Sequence, residues 1–171
     1  MMHVYYGNGK GKTTAALGLA IRAAGCGKKV VIVQFLKNTP SGEEASIGLL
    51  PNIMLLRGKA GKALSFVMSE SEKEETTLIH NSNLSSASSL AFSCNCDMLI
   101  LDEGMDALRK GLVDTELFRR LVFERPENVE LVITGHKPVQ WLLDEADYVT
   151  EMVKKKHPFD RGITAREGIE Y

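Results

Sequence analysis

The stretch Gly7-Asn8-Gly9-Lys10-Gly11-Lys12-Thr13-Thr14 combines the parts needed to hold a polyphosphate. Glycines let successive backbone N–H groups turn inward around anionic oxygens, a lysine neutralises charge, and the hydroxyl that follows can ligate magnesium. All eight residues are therefore expected to bind nucleotide, with Lys12 on phosphate and Thr13 on the metal. The spacing departs from the usual one: Gly7 and Gly11 enclose three residues, and Tyr6 stands where the ordinary first glycine would be. A shorter cradle still suits a polyphosphate but holds it at a different depth. That weakens a plain ATPase or kinase reading.

A second chemical group is the pair Asp102-Glu103, which ends the apolar run Met98-Leu99-Ile100-Leu101. An apolar strand closing on carboxylates is the expected form of the second nucleotide motif. Neighbours on a strand point to opposite faces. One carboxylate, or a water it holds, then completes the magnesium site while the other orients its surroundings. Glu103 is expected nearer the metal, with Asp102 supporting it.

Such groups need a scaffold that brings strand ends together. Short apolar runs alternate with helical stretches, the pattern of parallel strands joined by crossover helices. Strands are predicted at 2–6, 29–34, 53–56, 98–101, 130–134 and 148–152. Several lack polar alternation, as strands covered on both faces should. Helices fit 13–24, 114–124 (stopped by Pro126) and 138–146, where Pro138 suits a first turn. The segment 70–92 reads as helix from the spacing of Leu84, Ala87 and Ala91, although serines dilute the pattern. Segments 36–46 and 57–69 hold Pro40, Gly42, Gly58 and Gly61 and read as long loops. The expected fold is α/β: a single-domain P-loop nucleotide-binding fold over 1–171, with a mostly parallel sheet of about six strands flanked by helices.

Composition narrows the class. With 171 residues the chain suits one core, and 44% hydrophobic with 25% charged residues is ordinary for a globular protein. A net charge of −1 offers no global attraction to nucleic acid or anionic lipid. Cys26, Cys94 and Cys96 lack paired metal spacing and are expected to be buried free thiols. The absence of a basic-then-apolar leader and of a long apolar run predicts a cytoplasmic protein.

The motifs together resemble the P-loop family of ATP:corrinoid adenosyltransferases. The resemblance rests on Gly7 to Thr14 followed by Ala15-Ala16; Val33-Gln34-Phe35-Leu36-Lys37; Leu101-Asp102-Glu103; Ile133-Thr134-Gly135; Ala146-Asp147-Tyr148-Val149-Thr150-Glu151-Met152; and Lys156-His157-Pro158-Phe159-Asp160 leading to Gly168-Ile169-Glu170-Tyr171. It implies attack by cobalt(I) on the 5′ carbon of ATP, with inorganic triphosphate as leaving group and Mg2+ as cofactor. Lys12 and Glu103 would be the catalytic residues, and Thr13 and Glu103 the metal ligands. The protein would supply position and field, since the nucleophile belongs to the corrinoid. ATP and corrinoid are the implied small-molecule partners. A flavoprotein electron donor and pairing into a homodimer are compatible with this; nucleic acid and membrane are not called for.

The resemblance also implies further contacts and shows where this chain departs. In this family the loop binds ATP in the opposite direction to ordinary P-loop enzymes. Arg22 matches a family arginine that would contact the nucleoside end, or is an exposed helix arginine, and Lys37, which ends the second-strand motif, would approach ATP or corrinoid or stand as a solvated loop lysine. An aromatic pair that displaces the lower axial ligand of cobalt is met here by Phe66-Val67-Met68, so that Phe66 and Met68 would cover the lower face or else serve as ordinary loop packing. The family phrase Thr-Gly-Arg becomes Thr134-Gly135-His136; histidine brings positive charge only when protonated, so His136 would be a weaker phosphate contact or a loop residue. Few residues precede Gly7, so a lid over the site would come from elsewhere. Lys156 and His157 open the C-terminal phrase as substrate neighbours or as part of a solvated basic face. His3 and His80 carry no metal spacing, and Trp141 reads as packing of its helix. Two other functions fit the phosphate loop alone: a P-loop ATPase or kinase using Glu103 on water or an acceptor hydroxyl, and a non-catalytic ATP-dependent regulatory module.

Overall fold

The computed structural model describes residues 1–61 and 67–169. Six strands, β1 (Met2–Tyr6), β2 (Val30–Gln34), β3 (Ile53–Arg57), β4 (Met98–Asp102), β5 (Glu130–Gly135) and β6 (Tyr148–Glu151), form one sheet in the order β3-β2-β4-β5-β1-β6. Every pairing is parallel. All six predicted strands are present, within a residue or so of their expected ends.

The helices are α1 (Lys12–Gly25), α2 (Gly42–Ile47), α3 (Glu70–Phe92), α4 (Gly104–Arg109), α5 (Thr115–Glu124) and α6 (Gln140–Glu145), with a 3₁₀ turn at Pro158–Arg161. The long loop expected over 36–46 is partly wrong, because α2 occupies its second half. Ser41 leads into that helix, and Glu43 and Glu44 sit in its first turn, where negative charge suits the helix dipole. The Glu44 carboxylate also pairs with the Arg57 guanidinium, tying α2 to β3. The serine-rich α3 is set by its start: Ser69 accepts from the Glu72 N–H while the Glu72 carboxylate accepts from the Ser69 N–H, a reciprocal capping box.

Alternate residues of the five strands β1 to β5 feed two cores. Val31, Val33, Leu99, Leu101, Leu131 and Ile133 pack beneath α3 and α5 with Leu84, Ala87, Phe118 and Leu121. Val30, Ile32, Ile100 and Val132 pack against Ala16 and Ala20 of α1. The two faces are thus covered by helices, which explains the uninterrupted apolar strands. Edge strand β6 is exposed along its length. No helix among the described residues is long and apolar enough to cross a membrane.

The cysteine expectation holds for Cys96 alone, which is buried and whose thiol burial pushes up to about 11; Cys26 and Cys94 are exposed and free. Trp141 stacks on Phe123 with ring centres 5.7 Å apart, beneath the Arg119 guanidinium, as surface packing of α6.

Candidate nucleotide site

Four parallel strands, β1, β2, β4 and β5, end at one cavity of about 610 Å³, as carboxyl ends of strands do in open α/β sheets. The β1–α1 connection is the glycine loop. Gly7 and Gly11 both have φ of 113°, a region that favours glycine. A Cβ on Gly7 would lie 2.5 Å from the Met152 carbonyl oxygen, and one on Gly9 2.7 Å from it. The chain leaving β6 is the cause: the Gly9 N–H donates to the Met152 carbonyl at 2.6 Å, and the Asn8 side chain accepts from the Lys154 N–H at 2.9 Å. The loop is thus clasped by residues over 140 positions away in sequence.

Helix α1 begins without an acidic residue in its first turn, so its N–H groups and positive end are uncompensated from within. The Lys12 ammonium donates to the carbonyls of Gly7 and Gly9, each at 2.8 Å. Its pKa is lowered chiefly by desolvation, against the pull of Asp106, Glu103 and Asp102. A phosphate in the loop would relieve that desolvation cost. Thr14, Leu17, Gly18 and Ile21 continue the cavity wall along one stripe of α1, at helical spacing.

The Asp102 carboxylate is fully buried and accepts four hydrogen bonds. Thr13 Oγ1 and Thr134 Oγ1 each reach Oδ1 at 2.8 Å, and Lys37 Nζ and Gln34 Nε2 reach Oδ2 at 3.0 and 3.3 Å. Asp102, rather than Glu103, is therefore the acid in contact with Thr13. Glu103 lines the cavity in a left-handed conformation (φ 58°), with its N–H donating to Thr134 Oγ1 at 2.9 Å. Burial, reinforced by the Asp102 charge, raises its pKa to about 7. Strained backbone of this kind at a strand end is typical of sites whose surroundings over-determine them.

Two residues that carried no functional signal in the sequence shape the site. Leu36 also has positive φ (61°), an unusual state for a bulky residue. Its N–H donates at 3.2 Å to Nε2 of the buried His80, whose Nδ1 bonds the Leu112 carbonyl at 2.7 Å. A carbonyl only accepts, so Nδ1 carries the proton and Nε2 is free to accept from Leu36: the ring is neutral. Burial lowers its pKa in agreement with that. His80 thereby pins the turn that returns Lys37 to Asp102. The other residue is Asp106 of α4, whose carboxylate pairs with His136 at 2.9 Å.

Other expected residues lie elsewhere. Arg22 is exposed on α1 and does not line the cavity. Met68, expected beneath the corrinoid, is buried against α3 with its sulfur 3.9 Å from the Thr76 hydroxyl. Phe66 lies outside the described residues. Lys156 is exposed, and His157 caps the 3₁₀ turn by accepting from the Phe159 N–H at 3.2 Å. Gly168 and Ile169 border the cavity beside the phosphate loop.

The donors at the cavity suit a hard, oxygen-seeking cation. Thr13 and two carboxylates offer oxygen only, and the buried Gln34 Oε1 has no hydrogen-bond partner. No cluster of three or more histidine, cysteine or acidic side chains among the described residues would enclose a metal. A magnesium ion here would take its remaining oxygens from phosphate and water, as that ion commonly does.

Comparison with known proteins agrees across the whole chain. Residues 1–171 match the family model described as ATP:corrinoid adenosyltransferase BtuR/CobO/CobP. The chain is similar to the corrinoid adenosyltransferase of Escherichia coli, at 35% identity covering 98% of this chain and 84% of that protein. It is likewise similar to the corrinoid adenosyltransferase CobA of Salmonella typhimurium (34%, 98% and 84%) and to a corrinoid adenosyltransferase of Pseudomonas aeruginosa (31%, 98% and 82%).

Proposed function

The chain belongs to the ATP:corrinoid adenosyltransferase family, and from that premise we propose how its residues divide the work. The enzyme transfers the 5′-deoxyadenosyl group of ATP to the cobalt(I) of a corrinoid, releasing triphosphate, in adenosylcobalamin biosynthesis or salvage. The observation that carries the assignment of roles is the convergence of Lys12, Thr13, Glu103 and His136 on one cavity at the mouth of the glycine loop.

Lys12 holds the triphosphate. Its ammonium leaves the Gly7 and Gly9 carbonyls for phosphate oxygens, joined by the N–H groups of the loop and the start of α1. Negative charge develops on the triphosphate as the 5′ carbon is attacked, so these donors bind the transition state more tightly than the ground state. One such donor is worth about 2.7–4 kcal/mol. Thr13 and Glu103 would hold magnesium, with Asp102 orienting Thr13 from behind. When bound, the ion supplies further positive charge against the leaving group. Glu103 acts as a ligand and not as a hydrolytic base, because cobalt(I) needs no deprotonation.

The stripe Leu17, Gly18 and Ile21 gives the nucleoside an apolar wall, and Gly18 leaves open space where a side chain would stand. Further parts of this reading are one domain throughout, a cytoplasmic location, a flavoprotein-type electron donor, and pairing into a homodimer.

Incubation with ATP, magnesium and chemically reduced corrinoid tests the proposal. Triphosphate should appear in step with adenosylcorrinoid, and Glu103→Gln should lower the rate with partial recovery at high magnesium. Rapid formation of ADP without corrinoid would instead make Glu103 a base and the protein an ATPase.

A further inference from the structure

An Asp–His ion pair borders the cavity beside the phosphate loop. One oxygen of Asp106, Oδ2, accepts both the backbone N–H of His136 and its ring Nδ1, each at 2.9 Å. The His136 carbonyl in turn accepts the Gly7 N–H at 3.1 Å. This two-point grip depends on Gly135, where a Cβ would fall 2.6 Å from Met105 Cβ and 3.4 Å from Asp106 Oδ2. The end of β5 can approach α4 so closely only because that side chain is missing. Histidine ring and backbone are therefore fixed together, against both the loop and α4.

With Nδ1 held by a carboxylate, Nε2 is the nitrogen left for a ligand. The charged groups around the ring are Asp106 on α4, Glu103 at the end of β4 and Lys12 at the start of α1. The first two favour the imidazolium; Lys12 and burial oppose it. The Asp106 hydrogen bond dominates, so His136 titrates above its ordinary value and Asp106 below its own. The ring remains largely solvent-accessible, with 63% side-chain exposure, so an incoming anion can reach it.

We propose that Asp106 is a positioning residue for nucleotide binding, fixing His136 so that its Nε2–H donates to an anionic oxygen of the bound triphosphate. The inference rests on the triphosphate reading of this cavity. It gives the chain a cationic donor of histidine type, which is oriented by a carboxylate and limited by pH.

The test is calorimetric titration of inorganic triphosphate with magnesium into the full chain. The proteins are wild type, Asp106→Asn, His136→Ala and the double variant Asp106→Asn/His136→Arg. At about pH 8, Asp106→Asn should bind about tenfold more weakly than wild type, the size of one charge-assisted hydrogen bond. At about pH 6 the ratio should shrink, because an unassisted imidazole is still largely protonated there. Arginine in the double variant should restore binding and make its ratio to wild type rise with pH. Nitrogen NMR of the His136 ring should show the imidazolium surviving to higher pH in wild type than in Asp106→Asn.

A double variant as weak as Asp106→Asn, or a His136 titration that the substitution leaves unmoved, would overturn the proposal. If Asp106→Asn does not fold, His136→Ala decides: its defect must be larger at about pH 6 than at about pH 8, where fewer wild-type rings carry charge. A folded wild type that fails to bind triphosphate removes the phosphate reading itself. Normal wild-type binding with an unaffected Asp106→Asn removes only the role of Asp106.

Discussion

The Thr13 hydroxyl donates to the buried Asp102 carboxylate at 2.8 Å, joining the first turn of α1 to the end of β4. The same oxygen takes the Thr134 hydroxyl from β5 at the same distance. One carboxylate thus sets the spacing of three elements around the cavity, and Lys37 supplies the compensating charge that so buried an anion requires.

Asp102→Asn should cost stability as well as function. The amide nitrogen of asparagine is a donor, yet all four groups around it also donate, so at least one must be left unpaired or turned away. Lys37 would lose its hydrogen-bonded partner, leaving it desolvated with only the charges of Glu103 and Glu43 nearby. Breaking a buried pair from one side costs about 3–5 kcal/mol. Urea denaturation should show a loss of that order. Thr13→Ser, which keeps the hydroxyl, should lose much less, and equal losses would mean the hydrogen bond is not what holds these elements.

Lys12→Ala separates chemistry from folding. The ammonium reaches two loop carbonyls from the wall of the cavity, and the glycine loop is also held by the Met152 and Lys154 backbone, so the fold should survive its loss at a cost of about 1–3 kcal/mol. Adenosyl transfer should fall by about 10²–10³-fold in kcat, as for removal of one well-placed transition-state donor. Circular dichroism with steady-state kinetics checks both halves. Unchanged kcat would remove Lys12 from the triphosphate site.

Glu103 makes stability pH-dependent in a definite direction. Its folded pKa of about 7 lies above the ordinary 4.5, so the folded protein holds the proton more tightly than the unfolded chain. Stability is then fullest below the unfolded value and falls as pH rises toward about 7, levelling above it. The ionised state costs the fold up to ~3 kcal/mol. Glu103→Gln, always neutral, should gain on wild type by that order between about pH 5 and about pH 8, measured without nucleotide or magnesium. A difference that does not change with pH would place the carboxyl in a solvated setting.

Strands and the phosphate loop were legible because their signals are local. Apolar runs of four to six residues define strands covered on both faces, and glycine spacing marks the turn at Gly7 to Gly11. The reason for Gly9 was not legible. It is set by a carbonyl at Met152, a contact no window along the chain contains. The same holds for Asp106 and His80, whose importance depends on partners 30 to 44 positions away, whereas Asp102 was legible as half of the acidic pair but its hold on Thr13 was not. Helix α2 was hidden by Pro40 and Gly42, which read as loop although Gly42 begins a helix with acidic residues behind it. Met68 could not be settled from sequence, because an apolar residue in a glycine-flanked loop reads equally as a ligand wall or as an anchor. Only burial against Thr76 distinguishes the two.

His80 gives the last prediction, since it couples a buried ring to the geometry of Lys37. The ring donates to the Leu112 carbonyl and accepts from the Leu36 N–H, and a leucine in its place would leave both without partners in the core. Each unsatisfied group costs about 1–3 kcal/mol, so His80→Leu should destabilise by about 2–5 kcal/mol in spite of its greater hydrophobicity. His80→Gln, able to donate and accept, should lose less. The positive φ of Leu36 persists only while its N–H is held, and its release should let Lys37 move from Asp102. Adenosyl transfer should then fall in His80→Leu even under conditions where the variant is fully folded. The pH sign follows from the lowered pKa of His80: the folded protein prefers the neutral ring, so the stabilisation is present above the ordinary value of 6.5 and is lost as pH falls below it. Wild type should therefore lose stability on acidification through this range by an amount that His80→Gln does not show. Denaturation curves for the two proteins that run parallel from neutral pH downward would mean that His80 is solvated and does not pin the Leu36 turn.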